Sequence, residues 1–263
     1  MTIGLLEFLF LLAIWVIVPL GLSFLPDSKP LRVARRLQPV AAILTTISFF
    51  VPKGFAAAAL AAPWLAVNGL VALGGLIHWK GSLLKTAAMM FPVVGGIHLV
   101  SSRLGHPLAG FPEPIILLTA IHFHYTAFAA PILAALAGGR LGKVAGLGLV
   151  GGTPLLAAGF LFSPHLKAAA VGVLVVSVIG VAVAQLAAVA RLKSRTARLL
   201  LAASSLSVIA GMALAALYEH GFYTGRSWLS ISQMAWSHGL LNGVGFSLGG
   251  LLAWKTDRDG RIL

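Results

Sequence analysis

Hydrophobic residues recur along the whole chain in runs of about twenty, and polar residues are concentrated between the runs. Nine runs can be drawn, at residues 3–25, 33–51, 54–77, 83–102, 113–137, 142–163, 166–190, 197–218 and 229–254. Each is long enough to cross a hydrocarbon core about 30 Å thick. In lipid, the backbone polar groups must be satisfied inside the segment, which favours helices. The pattern predicts an all-α polytopic transmembrane bundle that forms a single integral membrane domain over residues 1–263.

The pattern leaves two features open: whether the second and third runs are separate helices, and whether the first run is a cleaved signal. The second and third runs are separated only by the tetrapeptide Val51-Pro52-Lys53-Gly54, and one long kinked helix there would give eight spans instead of nine. The N-terminus has Glu7 where a secretory signal peptide has basic residues, and no small-residue cleavage site follows. We therefore expect the first run to be a transmembrane span and not a cleaved signal.

The distribution of basic residues favours nine spans. With nine, fifteen of the nineteen Lys and Arg residues lie on one face and four on the other; merging the second and third runs would mix the two sets. The fifteen are Lys29, Arg32, Arg35, Arg36, Lys80, Lys85, Arg140, Lys143, Arg191, Lys193, Arg195, Arg198, Lys255, Arg258 and Arg261, and the four are Lys53, Arg103, Lys167 and Arg226. Because basic residues accumulate on the cytoplasmic side, we expect the N-terminus outside and the C-terminus in the cytoplasm. The predicted location is the bacterial cytoplasmic (inner) membrane.

Composition narrows the chemistry. The chain is 59% hydrophobic and 10% charged, and it has no cysteine, which excludes disulfides, thiolate nucleophiles, iron–sulfur clusters and cysteine-type zinc sites. The net charge of +13 follows from topology and does not indicate nucleic-acid binding. The expected partners are the lipid bilayer and a lipophilic small molecule. The sequence leaves the oligomeric state open.

Several ionisable residues lie at depth in the predicted membrane. His122 and His124 are about ten residues into the fifth run, and His238 is about ten residues into the ninth. At a rise of about 1.5 Å per residue, all three are near the midplane. Ionisable side chains are costly there and usually mark a functional interior, so these histidines are candidate functional residues.

Acidic residues are divided between the two faces. Asp27, Asp257 and Asp259 lie among the basic cytoplasmic residues, where solvation and charge balance account for them. The others, Glu7, Glu113 and Glu219, lie at or below the outer boundary, and seven of the eight histidines are on that side or at mid-depth. This segregation predicts a polar cavity that opens towards the outer half, with its floor near His122, His124 and His238.

Local geometry leaves alternatives open for these residues. His122 and His124 differ by about 200° around a helix, so one is expected to face the cavity and the other to pack through a hydrogen bond. His238 and Asn242 are neighbours on one helical face, where hydrogen bonding between helices is the ordinary explanation. Trp228 fits an aromatic belt at the membrane surface, whereas Trp236, deeper in the run, is expected to wall a pocket.

Three short blocks carry a resemblance to a known family. They are Trp79-Lys80-Gly81, the octapeptide Ile121-His122-Phe123-His124-Tyr125-Thr126-Ala127-Phe128, and Met234 followed by His238-Gly239, Asn242-Gly243 and Gly245-Phe246. They resemble the YndJ-like family of bacterial polytopic membrane proteins, whose members are often labelled transporters. In fold and chemistry the chain is also similar to bacterial integral-membrane terpene (meroterpenoid) cyclases, which implies isoprenoid chemistry by analogy.

Two functions compete at this point. One is an intramembrane acid–base enzyme, a cyclase or isomerase of a lipophilic isoprenoid-type substrate, that needs neither metal nor cofactor. Its expected catalytic residues are Glu7, Glu219, His122, His124 and His238, and its expected substrate-binding residues are Tyr125, Phe128, Trp236, Asn242, His98 and Gln233. The other is a proton-coupled transporter. A conduction path needs polar groups in both halves of the membrane, and the cytoplasmic half lacks charged ones, which favours the enzyme. A metal or haem site built from the histidines is a third alternative, but the clustered motifs of membrane di-iron oxygenases are missing.

Overall fold

The computed structural model describes residues 3–259, and Arg261 of the charge count lies outside this range. Within it the chain is helical and contains no β-strand, only an isolated bridge between Leu108 and Phe111. The described residues form nine helices, as the hydrophobic runs predict. They are α1 (Leu5–Leu22), α2 (Lys29–Ser48), α3 (Phe55–Ile77), α4 (Leu83–Leu104), α5 (Ile115–Ala137), α6 (Gly139–Phe162), α7 (Pro164–Val189), α8 (Arg195–Tyr223) and α9 (residues 231–259).

The break between the second and third runs is real. Helix α2 ends at Ser48 and α3 begins at Phe55. Gly54 precedes α3 with a φ of 147°, a conformation that favours glycine, and its N–H donates to the Arg103 carbonyl at 2.9 Å. The chain therefore forms two separate helices here and not one kinked helix.

Seven of the nine helices in the described range are long and apolar enough to cross a membrane, the two others being α2 and α9. Helix α2 begins at Lys29, four residues before the predicted hydrophobic run, because Pro30 is well tolerated in a first helical turn. This start adds Lys29 and Arg32 to the Arg35 and Arg36 already in the run, and it lowers the hydropathy of the helix. Helix α9 differs for another reason, since it is divided into short α-helical and π-helical pieces.

The helices form two compact units, Met1–Ala129 and Ala130–Leu263. In the first, α2 packs against α3, α3 against α4, and α4 against the N-terminal part of α5. Helices α1 and α5 run in the same direction, because Leu5–Leu12 contacts Ile115–His124 while Val18–Leu22 contacts Tyr125–Ala129. In the second unit, α6 packs against α7, α7 against α8, and α8 against α9.

Four helical segments are wound as π-helix, which the sequence pattern did not predict. They are Ala13–Ile17, Tyr125–Ala129, Ala235–Gly239 and Leu241–Leu248. Side chains from neighbouring helices donate to backbone carbonyls in or beside these segments. In the first unit, Gln38 Nε2 donates to the Ile14 carbonyl at 2.7 Å, and Tyr125 Oη donates to the Leu9 carbonyl at 2.8 Å.

In the second unit, side chains also donate to backbone carbonyls of a π-helical segment. Ser207 Oγ donates to the Leu241 carbonyl at 2.9 Å, and Ser204 Oγ donates to the Phe246 carbonyl at 2.9 Å. Both serines lie on α8, so they hold the widened helix α9 against it. Since π-segments are often found at functional sites, their occurrence next to His124 and around His238 marks both regions for attention.

Two of the acids that were expected among the cytoplasmic basic residues, Asp27 and Asp257, have different environments. Asp27 is exposed, and a hydrogen bond from Arg32, together with the charges of Arg32 and Arg35, holds its pKa below the ordinary value of 3.8. Asp257 is instead buried, and its Oδ1 accepts the backbone N–H groups of Lys193 at 2.6 Å and Ser194 at 3.3 Å. The expectation that solvation explains Asp257 was therefore wrong. Its carboxylate joins the loop before α8 to the end of α9 by hydrogen bonds.

Candidate functional site

His124 is held on both sides of its ring. It is fully buried, its Nδ1 donates to the Ala120 carbonyl at 2.7 Å, and its Nε2 accepts the indole N–H of Trp64 at 2.9 Å. The ring of Phe10 meets it edge to face at 5.2 Å. These contacts fix one neutral tautomer, because Nδ1 carries the proton and Nε2 the accepting lone pair. His124 thus matches the expected packing member of the histidine pair.

Gly95 makes this packing sterically tight. A Cβ at Gly95 would lie 2.8 Å from Cε1 and 2.9 Å from Nδ1 of His124, whereas a Cβ at Gly69 would meet no atom within 4 Å. We expect Gly95→Ala to lower the free energy of unfolding by about 1–3 kcal/mol through overpacking. The matched Gly69→Ala should be neutral or stabilising, since alanine favours a helix by about 0.5–1 kcal/mol. Thermal unfolding in detergent measures both, and equal effects would contradict the tight contact.

His122 has a different environment. Its side chain is exposed, and Nδ1 donates to the Leu118 carbonyl at 2.7 Å. A carbonyl only accepts, so Nε2 carries the lone pair, which is the form of imidazole that acts as a general base. His98 is fixed in the same way, with Nδ1 donating to the Val94 carbonyl at 2.8 Å, and its ring stacks on Phe123 at 6.3 Å between centroids.

The contacts between α1 and α5 give the depth of Glu7. They join Leu9 to Tyr125 and Phe10 to His124. Glu7 is about one helical turn before Phe10, and His122 is about half a turn before His124. Because the two helices run in the same direction, the Cα atoms of Glu7 and His122 lie at similar depth within the first unit.

The carboxylates of this unit differ in their partners. Glu113 pairs with Lys53 Nζ at 3.3 Å and accepts a hydrogen bond from Ser102 Oγ. Glu7 is partly buried, and its carboxylate makes no hydrogen bond or ion pair with the residues between 3 and 259. It nevertheless lies in the electrostatic field of Arg103.

Arg103 is a buried cation whose guanidinium is already engaged. Its Nη2 donates to the carbonyls of Ser48 at 2.9 Å and Val51 at 3.0 Å, and the guanidinium carbon lies 4.9 Å from the centre of the Phe49 ring. The side chain therefore joins the C-terminal end of α2 to α4. Its charge acts on two carboxylates, first on Glu113 and less strongly on Glu7.

The second unit contains a buried ion pair. Lys167 Nζ lies 3.0 Å from Glu219 Oε2, and the two side chains are only 7% and 11% exposed. The same ammonium lies 3.3 Å from the centre of the Phe222 ring. Beside it, His165 Nδ1 and Tyr223 Oη share a hydrogen bond of 2.7 Å. These contacts join the first turn of α7 to the last turns of α8.

His238 and Asn242 form a short polar group between α8 and α9. His238 Nδ1 donates to the Gly211 carbonyl at 2.9 Å. The Asn242 amide nitrogen lies 3.0 Å from both ring nitrogens, but Nδ1 already carries a proton, so Nε2 is the acceptor. Gly211 admits Asn242 closely, since a Cβ there would lie 2.8 Å from Asn242 Oδ1. His238 therefore forms a hydrogen bond between two helices, which is the ordinary explanation given above for polar residues on this face of α9.

Comparison with known proteins identifies the family. The model of the family described as YndJ-like protein matches residues 8–246, which is most of the chain. The chain belongs to the YndJ-like family. A similar protein is the uncharacterized membrane protein YndJ of Bacillus subtilis (strain 168), which is 28% identical over 271 residues covering 95% of this chain and 48% of that protein. The chain thus spans about half the length of this curated relative. No solved structure matches it.

This membership and the seven apolar helices make the chain a multi-pass membrane protein, and they confirm the family suggested by the short blocks. The YndJ-like octapeptide of α5 contains three of the residues just described, His122, His124 and Tyr125. No group of three or more His, Asp or Glu side chains suited to a metal ion occurs between residues 3 and 259.

The remaining predicted binding residues are dispersed in this YndJ-like chain. Phe128 is fully buried, and Tyr125 is buried with its hydroxyl bonded to the Leu9 carbonyl. Gln233 closes a capping box with Ser230 at the start of α9. Trp236 is 62% exposed. The first two contribute packing, and Gln233 stabilises a helix start.

Sequence reasoning missed two buried cations, Arg103 in the first unit and Lys167 in the second. The available signal was their placement, because both belong to the four basic residues that depart from the positive-inside distribution. A buried cation that the charge distribution does not explain needs a partner inside the protein. Here the explanation is an acidic partner for Lys167 and backbone carbonyls for Arg103.

Proposed function

We propose that this protein is an intramembrane acid–base enzyme that isomerises or cyclises a lipophilic isoprenoid-type substrate. Glu7 is the proton-donating carboxyl group and His122 is the base. The observation that carries the proposal is that Glu7 is an outer-side acid without an ion-pair partner among the described residues and shares its depth with an imidazole in the basic tautomer.

The other two outer-side acids suit a proton donor less well. Glu113 is paired with Lys53, and Glu219 with Lys167. A lysine ammonium at 3.0–3.3 Å stabilises the carboxylate form, which cannot donate a proton. Glu219, His124 and His238 remain predictions as catalytic residues, and the contacts of His124 and His238 favour positioning roles.

The proposed chemistry balances without a redox partner. The Glu7 carboxyl adds a proton to one carbon of a double bond, and the carbocation that results rearranges or closes a ring. Nε2 of His122 then removes a proton from an adjacent carbon, which restores a double bond and gives an isomer of the substrate. That proton passes from His122 back to the Glu7 carboxylate through solvent, which restores both groups for the next turnover. Aromatic faces such as Phe123 stabilise the cation, and the Arg103 charge stabilises the carboxylate left on Glu7.

The distribution of polar groups supports an enzyme over a transporter. The buried polar side chains towards the cytoplasmic ends of the helices include the uncharged Gln38, Asn68 and Gln185, and the buried carboxylate of Asp257 there is bonded to the N–H groups of the loop before α8. Gln38 and Asn68 are engaged with the carbonyls of Ile14 and Pro92. A cavity for catalysis needs ionisable groups on one side only, whereas a proton pathway needs them on both.

Mass spectrometry of lipid extracts tests the function directly. Cells with and without the protein are compared after feeding with polyprenyl precursors, and we expect a new product that is isomeric with its precursor. Unchanged lipids, together with substrate uptake into proteoliposomes that contain the purified protein, would establish transport instead. An inactive Glu7→Gln variant expressed at the same level controls for effects of the membrane protein itself.

We further propose nine spans, with the N-terminus outside and the C-terminus in the cytoplasm of a bacterial cell whose cytoplasmic membrane holds the protein. Helix α2 is the decisive case because its mean hydropathy is low. Exposed apolar side chains recur along it at intervals of three or four residues, which describes a lipid-facing stripe: Val33, Leu37, Val40, Ile43 and Ile47. The stripe supports a membrane crossing, with the basic first turns of α2 in the headgroup layer.

Reporter fusions test this topology. A fusion at Gly54 should report the outer face, and a fusion at Ser194 should report the cytoplasm. The physical reason is the fifteen-to-four division of the basic residues between the two faces. Fusions in the loop before α2 supply the control, since both ends of α2 must then map to opposite sides. If they map to the same side, α2 does not cross and the count is eight.

A further inference from the structure

A small cavity lies at the C-terminal end of α8, in the loop that leads to α9. Its volume is about 200 Å³, and its lining includes Tyr218, Phe222, Arg226, Ser227 and Trp228. This is below the range of about 300–1,000 Å³ that is usual for drug-sized ligands. A cavity of this size holds several water molecules and has room for a compact polar group such as a phosphate.

The length of α8 places the cavity at the membrane surface. The helix has 29 residues, and at 1.5 Å per residue it is about 44 Å long. That exceeds the hydrocarbon core and equals the full thickness of a bilayer with its headgroups, about 40–45 Å. With Arg195 in one headgroup layer, Tyr223 reaches the other. The exposed rings of Tyr223 and Trp228 are typical of that interface.

The charge of the cavity is positive. Arg226 is the one charged residue among those lining it, all of which lie in the described range, and its side chain is exposed. The acid closest in sequence, Glu219, is neutralised by Lys167 at 3.0 Å. Phe222 lies between the cavity and the ion pair, since it lines the cavity and its ring contacts the Lys167 ammonium.

The loop is fixed in place by its backbone. The Arg226 N–H donates to the Gly221 carbonyl at 2.7 Å, and the Trp228 N–H donates to the Arg226 carbonyl at 3.1 Å. The Arg226 carbonyl approaches Gly221 so closely that a side chain at residue 221 would collide with it. The guanidinium, the Ser227 hydroxyl and the Trp228 ring are therefore presented by a defined turn.

We propose that this cavity binds the phosphate of an anionic phospholipid. Arg226 donates charge-assisted hydrogen bonds to the phosphate oxygens, Ser227 and Tyr218 supply hydroxyl donors, and the first methylenes of the acyl chains lie against Phe222 and Trp228. The site lies in the second unit and is independent of the chemistry proposed for Glu7 and His122.

Lipid titration of the purified, delipidated full chain tests the proposal, with native mass spectrometry as the readout. Phosphatidylglycerol should bind about tenfold or more tightly than phosphatidylcholine, and Arg226→Gln should remove that preference. Arg226→Lys should retain most of it, because the charge is kept. The matched control is Lys143→Gln, an exposed basic residue of α6 outside the cavity, which should bind as the unaltered chain does.

Two results would overturn the proposal. One is an unchanged preference for phosphatidylglycerol in Arg226→Gln, or an equal loss in Lys143→Gln. The other is displacement of the lipid by inorganic phosphate at comparable concentration, which would assign the cavity to a soluble anion. Arg226→Gln keeps every backbone hydrogen bond of the loop, and an unfolding temperature equal to that of the unaltered chain shows that any loss is one of binding.

Discussion

Replacing Glu7 with glutamine is expected to lower formation of the isomeric product by about 10²–10⁴-fold, the usual contribution of a general acid. Glutamine keeps the shape of the side chain and removes the titratable proton. The carboxylate forms no ion pair with the described residues, so its loss should leave packing nearly unchanged. The measurement is product per unit of protein in lipid extracts, with the melting temperature determined in parallel.

Matched variants separate catalysis from structure in this experiment. Glu113→Gln removes another carboxylate of the same unit, one already paired with Lys53, and should reduce product formation far less. His122→Ala should act like Glu7→Gln because it removes the base. If Glu113→Gln reduces activity as much as Glu7→Gln does, or if Glu7→Gln is fully active, then Glu7 is not the proton donor.

Replacing Lys167 with methionine is expected to destabilise the protein by about 3–5 kcal/mol, since it leaves Glu219 buried without its counter-ion. The pair is 3.0 Å apart, and both side chains are almost fully buried. The substitution also removes the contact between the ammonium and the Phe222 ring. The double variant Lys167→Met/Glu219→Leu should recover most of this stability, because an apolar pair of similar volume carries no desolvation penalty.

The control for this prediction is the exposed pair of the first unit. Lys53 and Glu113 lie 3.3 Å apart, with side chains 45% and 28% exposed, so Lys53→Met should cost only about 0–1 kcal/mol. Unfolding of the detergent-solubilised protein measures the stability of these three variants relative to the unaltered chain. A Lys167→Met variant as stable as Lys53→Met, or a double variant no more stable than Lys167→Met, would show that burial does not couple the two charges.

The sequence by itself determined the helices and their order. Apolar runs of about twenty residues predict helices because lipid leaves backbone groups no partner outside the segment, and this requirement is local. The break at residues 49–54 was left open by the hydrophobic pattern, and the distribution of basic residues decided for two separate helices. The start of α2 could not be predicted from hydrophobicity. The basic residues that precede the hydrophobic run are good helix formers, so the helix begins at Lys29.

Pairing between helices was decided by the tertiary structure alone. Trp64 and His124 are 60 residues apart, and which of the two histidines of α5 would pack was left open by their opposite directions around the helix. The ion pair of Lys167 with Glu219 and the capture of loop N–H groups by Asp257 are likewise long-range. Each depends on the rotation and axial register of two helices, which many distant contacts set together.

The π-segments show the same division most clearly. The hydrophobic pattern predicts a helix through Tyr125–Ala129 and Leu241–Leu248 but does not distinguish a π-helix from an α-helix. Backbone carbonyls in and beside such segments accept from Tyr125, Ser204 and Ser207 on neighbouring helices. The sequence determined which residues form the apolar helices and their position along each helix, because both follow from the local pattern. The tertiary structure decided which of them carry partners, because a buried polar group is satisfied by whatever helix is packed beside it.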